Sequence, residues 1–164
     1  KSRTVIDIGG NILKAIRYDP NGRLLDVIEN DKCADGLGIF FTAMAEAVGF
    51  TERQLSESAL KSTHDLSVAV QCALSAESDV IDLLCRGMAV EDVADAALKF
   101  IAERVADMCT ILRLTPEIVA MGGLAKSRAL VAHLRYLINQ KVTPLNYPEY
   151  VGAIGAAIHC EEGK

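Results

Sequence analysis

Two stretches of this chain end the same way. Thr4-Val5-Ile6-Asp7-Ile8-Gly9-Gly10 and Glu117-Ile118-Val119-Ala120-Met121-Gly122-Gly123 are each an apolar run that stops on a pair of glycines. β-Branched side chains favour an extended backbone and glycines permit a sharp turn, so each reads as a strand running into a tight turn. The two stretches lead into different structure. After the first pair, residues 13–19 alternate, Pro20-Asn21-Gly22 makes a turn, and residues 23–30 read as a third strand. Three strands joined in this way form an antiparallel meander. After the second pair, residues 125–140 carry a helical period, residues 141–147 read as a short edge strand and residues 150–160 as a last helix. A meander followed by β-α alternation predicts an α/β fold: a mixed sheet of about five strands with flanking helices.

The middle of the chain supplies more helices. Residues 36–49 place Ile39, Phe40, Met44, Ala47 and Val48 at helical spacing, residues 75–87 read as a helix closed by Gly87, and residues 89–114 as a long amphipathic helix. Residues 51–71 are polar and irregular, with one short helix near 52–61. The last helix, 150–160, is rich in glycine and alanine and is expected to pack closely. The order lacks the uniform alternation of a Rossmann domain. No G-x-G-x-x-G follows the first strand and no GK[ST] occurs anywhere.

With 164 residues, 51% of them hydrophobic, the chain is expected to form one domain, 1–164, with a substantial core. The net charge of −5 with scattered basic residues argues against nucleic acid as a partner. The apolar runs are too short to span a bilayer and no signal peptide is visible, which makes the cytoplasm the expected compartment. A first strand that begins within four residues, with no methionine before it, suggests one half of something larger. Five widely scattered cysteines, Cys33, Cys72, Cys85, Cys109 and Cys160, form neither a disulfide framework nor a C-x-x-C pair. A metal site would need distant cysteines to converge.

The glycine turns carry candidate chemistry. Asp7 ends a strand beside Gly9 and Gly10, where bare amides can approach a phosphate and a carboxylate can hold Mg²⁺ through water. Glycines chosen only for a hairpin are the competing reading. Gly122 and Gly123 would let a flat ring or a phosphate lie against the backbone at a helix N-terminus; a closely packed helix entry would use the same residues. Two such turns in one domain favour a nucleotide. Cys33 differs from a core thiol: it follows Asn30-Asp31-Lys32 and precedes Gly36 and Gly38, where a turn gives way to a helix.

The order of these motifs, "VIDIGG" with Lys14, "NDKCADGLG", Cys72 before "AESDVI", "MGGLAKS" and "GAIGAAI", resembles the BadF/BadG/BcrA/BcrD ATPase family from Thr4 to Ala157. The resemblance implies a ribonuclease-H-like fold of the actin/sugar-kinase/Hsp70 type, two similar halves clasping ATP, of which this chain is the C-terminal half. It implies a 4Fe–4S cluster at a homodimer or pseudo-dimer interface, with Cys33 and Cys72 as this chain's ligands. A cubane needs four thiolates, so two per chain suffice only across a two-fold axis. Each cysteine precedes a helix, whose N-terminal partial charge favours a thiolate. By the same resemblance Asp7, Gly9 and Gly10 form a phosphate turn, Gly122 and Gly123 the adenosine-side turn, and Lys14 matches a family lysine. Cys85, Cys109 and Cys160 are expected in the core.

The implied function is ATP-dependent delivery of low-potential electrons to an acyl-CoA dehydratase or reductase. Departures stand beside it. Asn11-Ile12 replaces the family's Gln-Asp, Leu37 replaces a threonine, and the half with the other phosphate loop is outside this chain. Alternatives are a non-hydrolysing iron–sulfur or scaffold subunit, and a kinase-like domain with structural cysteines. His64, His133 and His159 receive no role.

Overall fold

The computed structural model describes residues 3–30, 35–70 and 72–162. Five strands form one mixed sheet: β1 (Thr4–Ile8), β2 (Leu13–Tyr18), β3 (Leu24–Glu29), β4 (Ile118–Met121) and β5 (Val142–Pro144), in the order β3-β2-β1-β4-β5. The meander pairs β1 with β2 and β2 with β3 antiparallel. The strand that returns after the helices, β4, lies parallel to β1, and β5 parallel to β4. The mixed sheet expected from the order of turns is therefore the one observed.

Period-two alternation decides which side chains enter the core. Thr4, Ile6 and Ile8 of β1 are buried while Val5 and Asp7 between them are half-buried. The inward set, with Leu13 and Ala15 of β2, packs under the helices α1 (Leu37–Ala47), α2 (Glu52–Ala59), α4 (Val90–Ile111) and α5 (Arg128–Ile138), through Phe40, Phe41, Leu55, Leu98, Phe100 and Leu130. α3 (Ala73–Cys85) lies against α1 and α4. On the opposite face the register lines up Val27, Ile16, Val5 and Val119 in one row across four strands. Val27 is 46% exposed.

α4 is the central strut. Its buried side is rich in alanine (Ala94, Ala96, Ala97, Ala102), which lets α2 and α5 approach closely. Its first turn also orders much of the segment that reads as irregular in the sequence. The Asp92 carboxylate accepts hydrogen bonds from the Thr63 N–H at 2.7 Å, the His64 N–H at 3.1 Å and the Ser62 hydroxyl at 3.0 Å, and meets His64 Nδ1 at 2.9 Å. Upstream, α2 starts on a capping box: the Gln54 N–H donates to Thr51 Oγ1 at 3.2 Å and the Thr51 N–H to Gln54 Oε1 at 2.9 Å.

One expectation fails. α6 (Val151–Glu162) does not pack closely: residues 152–161 are all exposed, Ile154 and Ile158 included. Small side chains permit close packing, but the described part of the chain leaves residues 152–161 of this helix uncovered. No described helix is long and apolar enough to cross a membrane.

Candidate functional site

The parallel pairing of β1 with β4 makes the site. Asp7 sits opposite Met121, so the two glycine pairs leave side by side at the C-terminal ends of two central strands. They touch. Gly122 has φ +90°, and a Cβ there would collide with the Ile8 carbonyl and lie 2.7 Å from Asp7 Oδ1. Only glycine fits at that contact. The Gly122 N–H donates to the Pro148 carbonyl at 2.9 Å, which brings the turn 148–150 to the same strand ends.

The N-terminus of α1 docks on the first turn. The Gly36 N–H donates to the Asn11 carbonyl and the Ile39 N–H to the Gly10 carbonyl, both at 2.9 Å. A Cβ on Gly38 would come within 2.6 Å of Gly10 Cα and the Gly9 carbonyl oxygen, so helix and turn are in backbone contact. Upstream, Asn30 exchanges hydrogen bonds with the Leu13 backbone (2.6 and 3.1 Å) and its Nδ2 donates to Asp35 Oδ1 at 2.6 Å. Asn30 and Gly36 are thus both bonded to the Gly9–Leu13 turn. Cys33 lies between them in the sequence, outside the described residues.

Beside the second turn opens a cavity of about 270 Å³, lined among others by Phe41, Ser56, Gly123, Leu124 and Ser127. A Cβ on Gly123 would meet nothing within 4 Å, so the backbone here is open to a ligand. The wall from α2 and α5 is held by a buried Ser56 Oγ to Ser127 Oγ hydrogen bond of 2.6 Å, while Ser127 caps α5 by accepting from the Leu130 N–H at 3.1 Å. Two ion pairs stand nearby, Arg53–Glu57 at 2.9 Å and Lys126–Glu149 at 3.1 Å. An apolar floor with hydroxyls and charges around it suits a flat ring with a polar edge.

Charge converges on Asp7. Burial pushes its carboxyl above the ordinary value, and Lys14, its register partner on β2, pulls it down. Lys14 in turn pairs with Glu29 of β3 at 2.8 Å, and that hydrogen bond raises the lysine. The Glu149 carboxyl is lowered by its own backbone N–H and by Lys126.

Of the residues singled out from sequence, Asp7, Gly9, Gly10, Gly122 and Gly123 are brought together. Cys72 is half-buried and stands at the N-cap of α3. Cys109 is buried, its thiol pushed up to about 12 by desolvation. Cys85 and Cys160 are exposed, contrary to the core placement expected of them, because the helix faces that carry them are uncovered. Among the described residues no group of three or more His, Cys, Asp and Glu could hold a metal ion, so a cluster on Cys72 would need ligands from beyond them. His64 and His133 hold Asp92 and Asp95, at 2.9 and 2.8 Å. The residues missed as site residues are Gly38, Asn30 and Ser56, the last on the short helix expected near 52–61, whose contact with Ser127 no sequence signal gave.

Comparison with known proteins matches residues 1–159 to the BadF/BadG/BcrA/BcrD ATPase family. The 2-hydroxyisocaproyl-CoA dehydratase activator of Clostridioides difficile is 33% identical over 97% of this chain and 60% of its own length. A benzoyl-CoA reductase subunit of Thauera aromatica is 29% identical over 96% of this chain and 58% of its own. The structure of the Clostridium difficile activator with bound ADPNP superimposes with a TM-score of 0.91, covering 97% of this chain and 59% of that one. A ParM mutant, 16% identical with a TM-score of 0.54, shares the actin-like fold alone. The chain therefore spans about 60% of the length of the relatives it matches.

Proposed function

The chain belongs to the BadF/BadG/BcrA/BcrD ATPase family, and from that premise we propose that it is the nucleotide- and cluster-bearing part of an ATP-dependent activator that delivers electrons to an acyl-CoA dehydratase or reductase. The observation that carries the nucleotide reading is the pair of touching glycine turns at adjacent parallel strand ends, with an open cavity at Gly123. Adenosine is assigned to that cavity and the phosphates to the Gly9–Gly10 turn. Asp7 faces them as a carboxylate able to hold Mg²⁺ through water.

Cys33 and Cys72 are assigned to a 4Fe–4S cluster shared with a second copy or a similar subunit, which fits the half-buried Cys72 at a helix N-terminus. When bound, the cluster supplies one-electron chemistry at low potential. This chain's own contribution is mechanical. α1 rests on Gly9 and Gly10 by backbone contacts, and Asn30 and Gly36 bond the same turn, so a ligand that shifts the turn shifts α1 with it. The relatives' names point to acyl-CoA dehydratases and a benzoyl-CoA reductase as the kind of partner. Such chemistry belongs in the cytoplasm.

Asn11-Ile12 favours a second reading, a subunit that keeps nucleotide and cluster but does not hydrolyse ATP. The carboxylate usual after this turn is gone, and Ile12 is 43% exposed in its place. ATPase assay of the longer protein separates the two readings. The nucleotide assignment is tested by calorimetry with ADP: Gly123→Val should weaken binding about tenfold or more, since the added side chain fills the cavity mouth. Unchanged affinity would remove the assignment.

A further inference from the structure

The buried serine pair in the cavity wall has more hydrogens than places to put them. Ser127 Oγ accepts from the Leu130 N–H at 3.1 Å and lies 2.6 Å from Ser56 Oγ. Two hydroxyls bring two hydrogens, and the link between them uses one. When the cap hydroxyl of Ser127 donates to Ser56, the Ser56 hydrogen is left over, with no acceptor among the described residues. Turning the pair round moves the surplus to Ser127 and does not remove it. Ser56 and Ser127 are only 8% and 5% exposed and both line the cavity, so the surplus donor faces the ligand space. A buried O–H without an acceptor is costly, and an acceptor on the ligand relieves that cost.

Glu52 supplies the opposite polarity. It stands one turn before Ser56 on the same face of α2 and also lines the cavity. One of its carboxylate oxygens accepts from the Thr42 hydroxyl at 2.5 Å, and no described residue bonds the other. The cations on the rim are already taken, Arg53 by Glu57 and Lys126 by Glu149. The cavity thus offers a ligand an acceptor and a donor one helical turn apart. Adenine presents the matching pair, an amino group beside a ring nitrogen that accepts. A 6-oxo purine reverses it, setting O6 against the carboxylate. We infer that Glu52 and Ser56 read the base and select adenine over 6-oxo purines, with Ser127 positioning the Ser56 hydroxyl. This rests on the assignment of the nucleoside to this cavity.

The test is calorimetric titration of the full-length protein with ADP, inosine diphosphate and the 1-deaza, 3-deaza and 7-deaza analogues of ADP. Inosine diphosphate should bind about tenfold or more weakly than ADP. Either 1-deaza-ADP or 7-deaza-ADP should lose about tenfold, because each of those nitrogens shares an edge with the amino group, while 3-deaza-ADP should match ADP. That loss should vanish in Ser56→Ala and persist in Ser56→Thr, a contrast that a merely structural serine would not give. Glu52→Gln should narrow the gap between ADP and inosine diphosphate about fivefold, since an amide can donate to O6. The analogue series needs only the parent protein, so it decides the matter even where a variant fails to fold. Equal affinity for ADP and inosine diphosphate, no loss with 1-deaza-ADP or 7-deaza-ADP, or a loss unchanged in Ser56→Ala overturns the inference while the nucleotide reading stands. Failure of ADP itself to bind overturns that reading, and the inference with it.

Discussion

Gly122 and Gly123 are neighbours in sequence with opposite reasons for being glycine. At Gly122 a methyl group would collide with the Ile8 carbonyl and Asp7, and the backbone has positive φ. Gly122→Ala should therefore cost about 3 kcal/mol or more, seen as a lower denaturation midpoint. At Gly123 the space is open, so Gly123→Val should leave the melting temperature nearly unchanged while nucleotide affinity falls. Asp7 gives a third outcome. Its carboxyl is raised by burial, so the folded chain binds a proton more tightly than the unfolded chain and is less stable where Asp7 is ionised. Asp7→Asn should raise the melting temperature at pH 7 and abolish any magnesium-dependent binding, a trade typical of functional groups. That the two turns stand together was legible only as a pair of matching strand–glycine endings, since each alone also reads as a plain turn. Lys14 was legible only as a match, since its pairing with Glu29 depends on register, and register is set by the folded sheet.

At the scale of elements, the docking of α1 on the first turn depends on Gly38. A methyl group there would meet Gly10 Cα and the Gly9 carbonyl at 2.6 Å. Gly38→Ala should cost about 2 kcal/mol and weaken ADP binding as well, because turn and helix can separate only by moving the turn. The Asp92 pin gives a pH signature. Its carboxyl is held well below the usual range by the N–H groups of Thr63 and His64, so its contribution is complete above about pH 4 and fades as pH falls below that. Asp92→Asn should lower the melting temperature by several degrees at pH 7, and by progressively less as the pH is taken further below 4. The short helix expected near 52–61 is α2, but its buried contact with Ser127, far along the chain, was not legible. The long helix α4 and the strands, with their strong periods, were plain.

For the molecule as a whole, the sheet, helices and twin turns agree with a family of ATPases, while an exposed α6 and an apolar row on the second sheet face that opens at Val27 are surfaces an isolated domain rarely leaves open. The sequence pattern "GAIGAAI" signalled close packing, and the expectation failed because packing needs a second surface that these residues do not contain. Cys85 and Cys160 failed for the same reason. The central claim is that Cys33 and Cys72 join this chain to another through a cluster governed by the nucleotide turn. Iron and sulfide analysis after anaerobic purification, run on the parent, Cys33→Ser, Cys72→Ser and Cys109→Ser, tests it most directly. The expected result is about two iron atoms per chain in the parent and in Cys109→Ser, and almost none in the other two. Parental iron content in Cys33→Ser or Cys72→Ser, or no iron in the anaerobic parent, would contradict the claim.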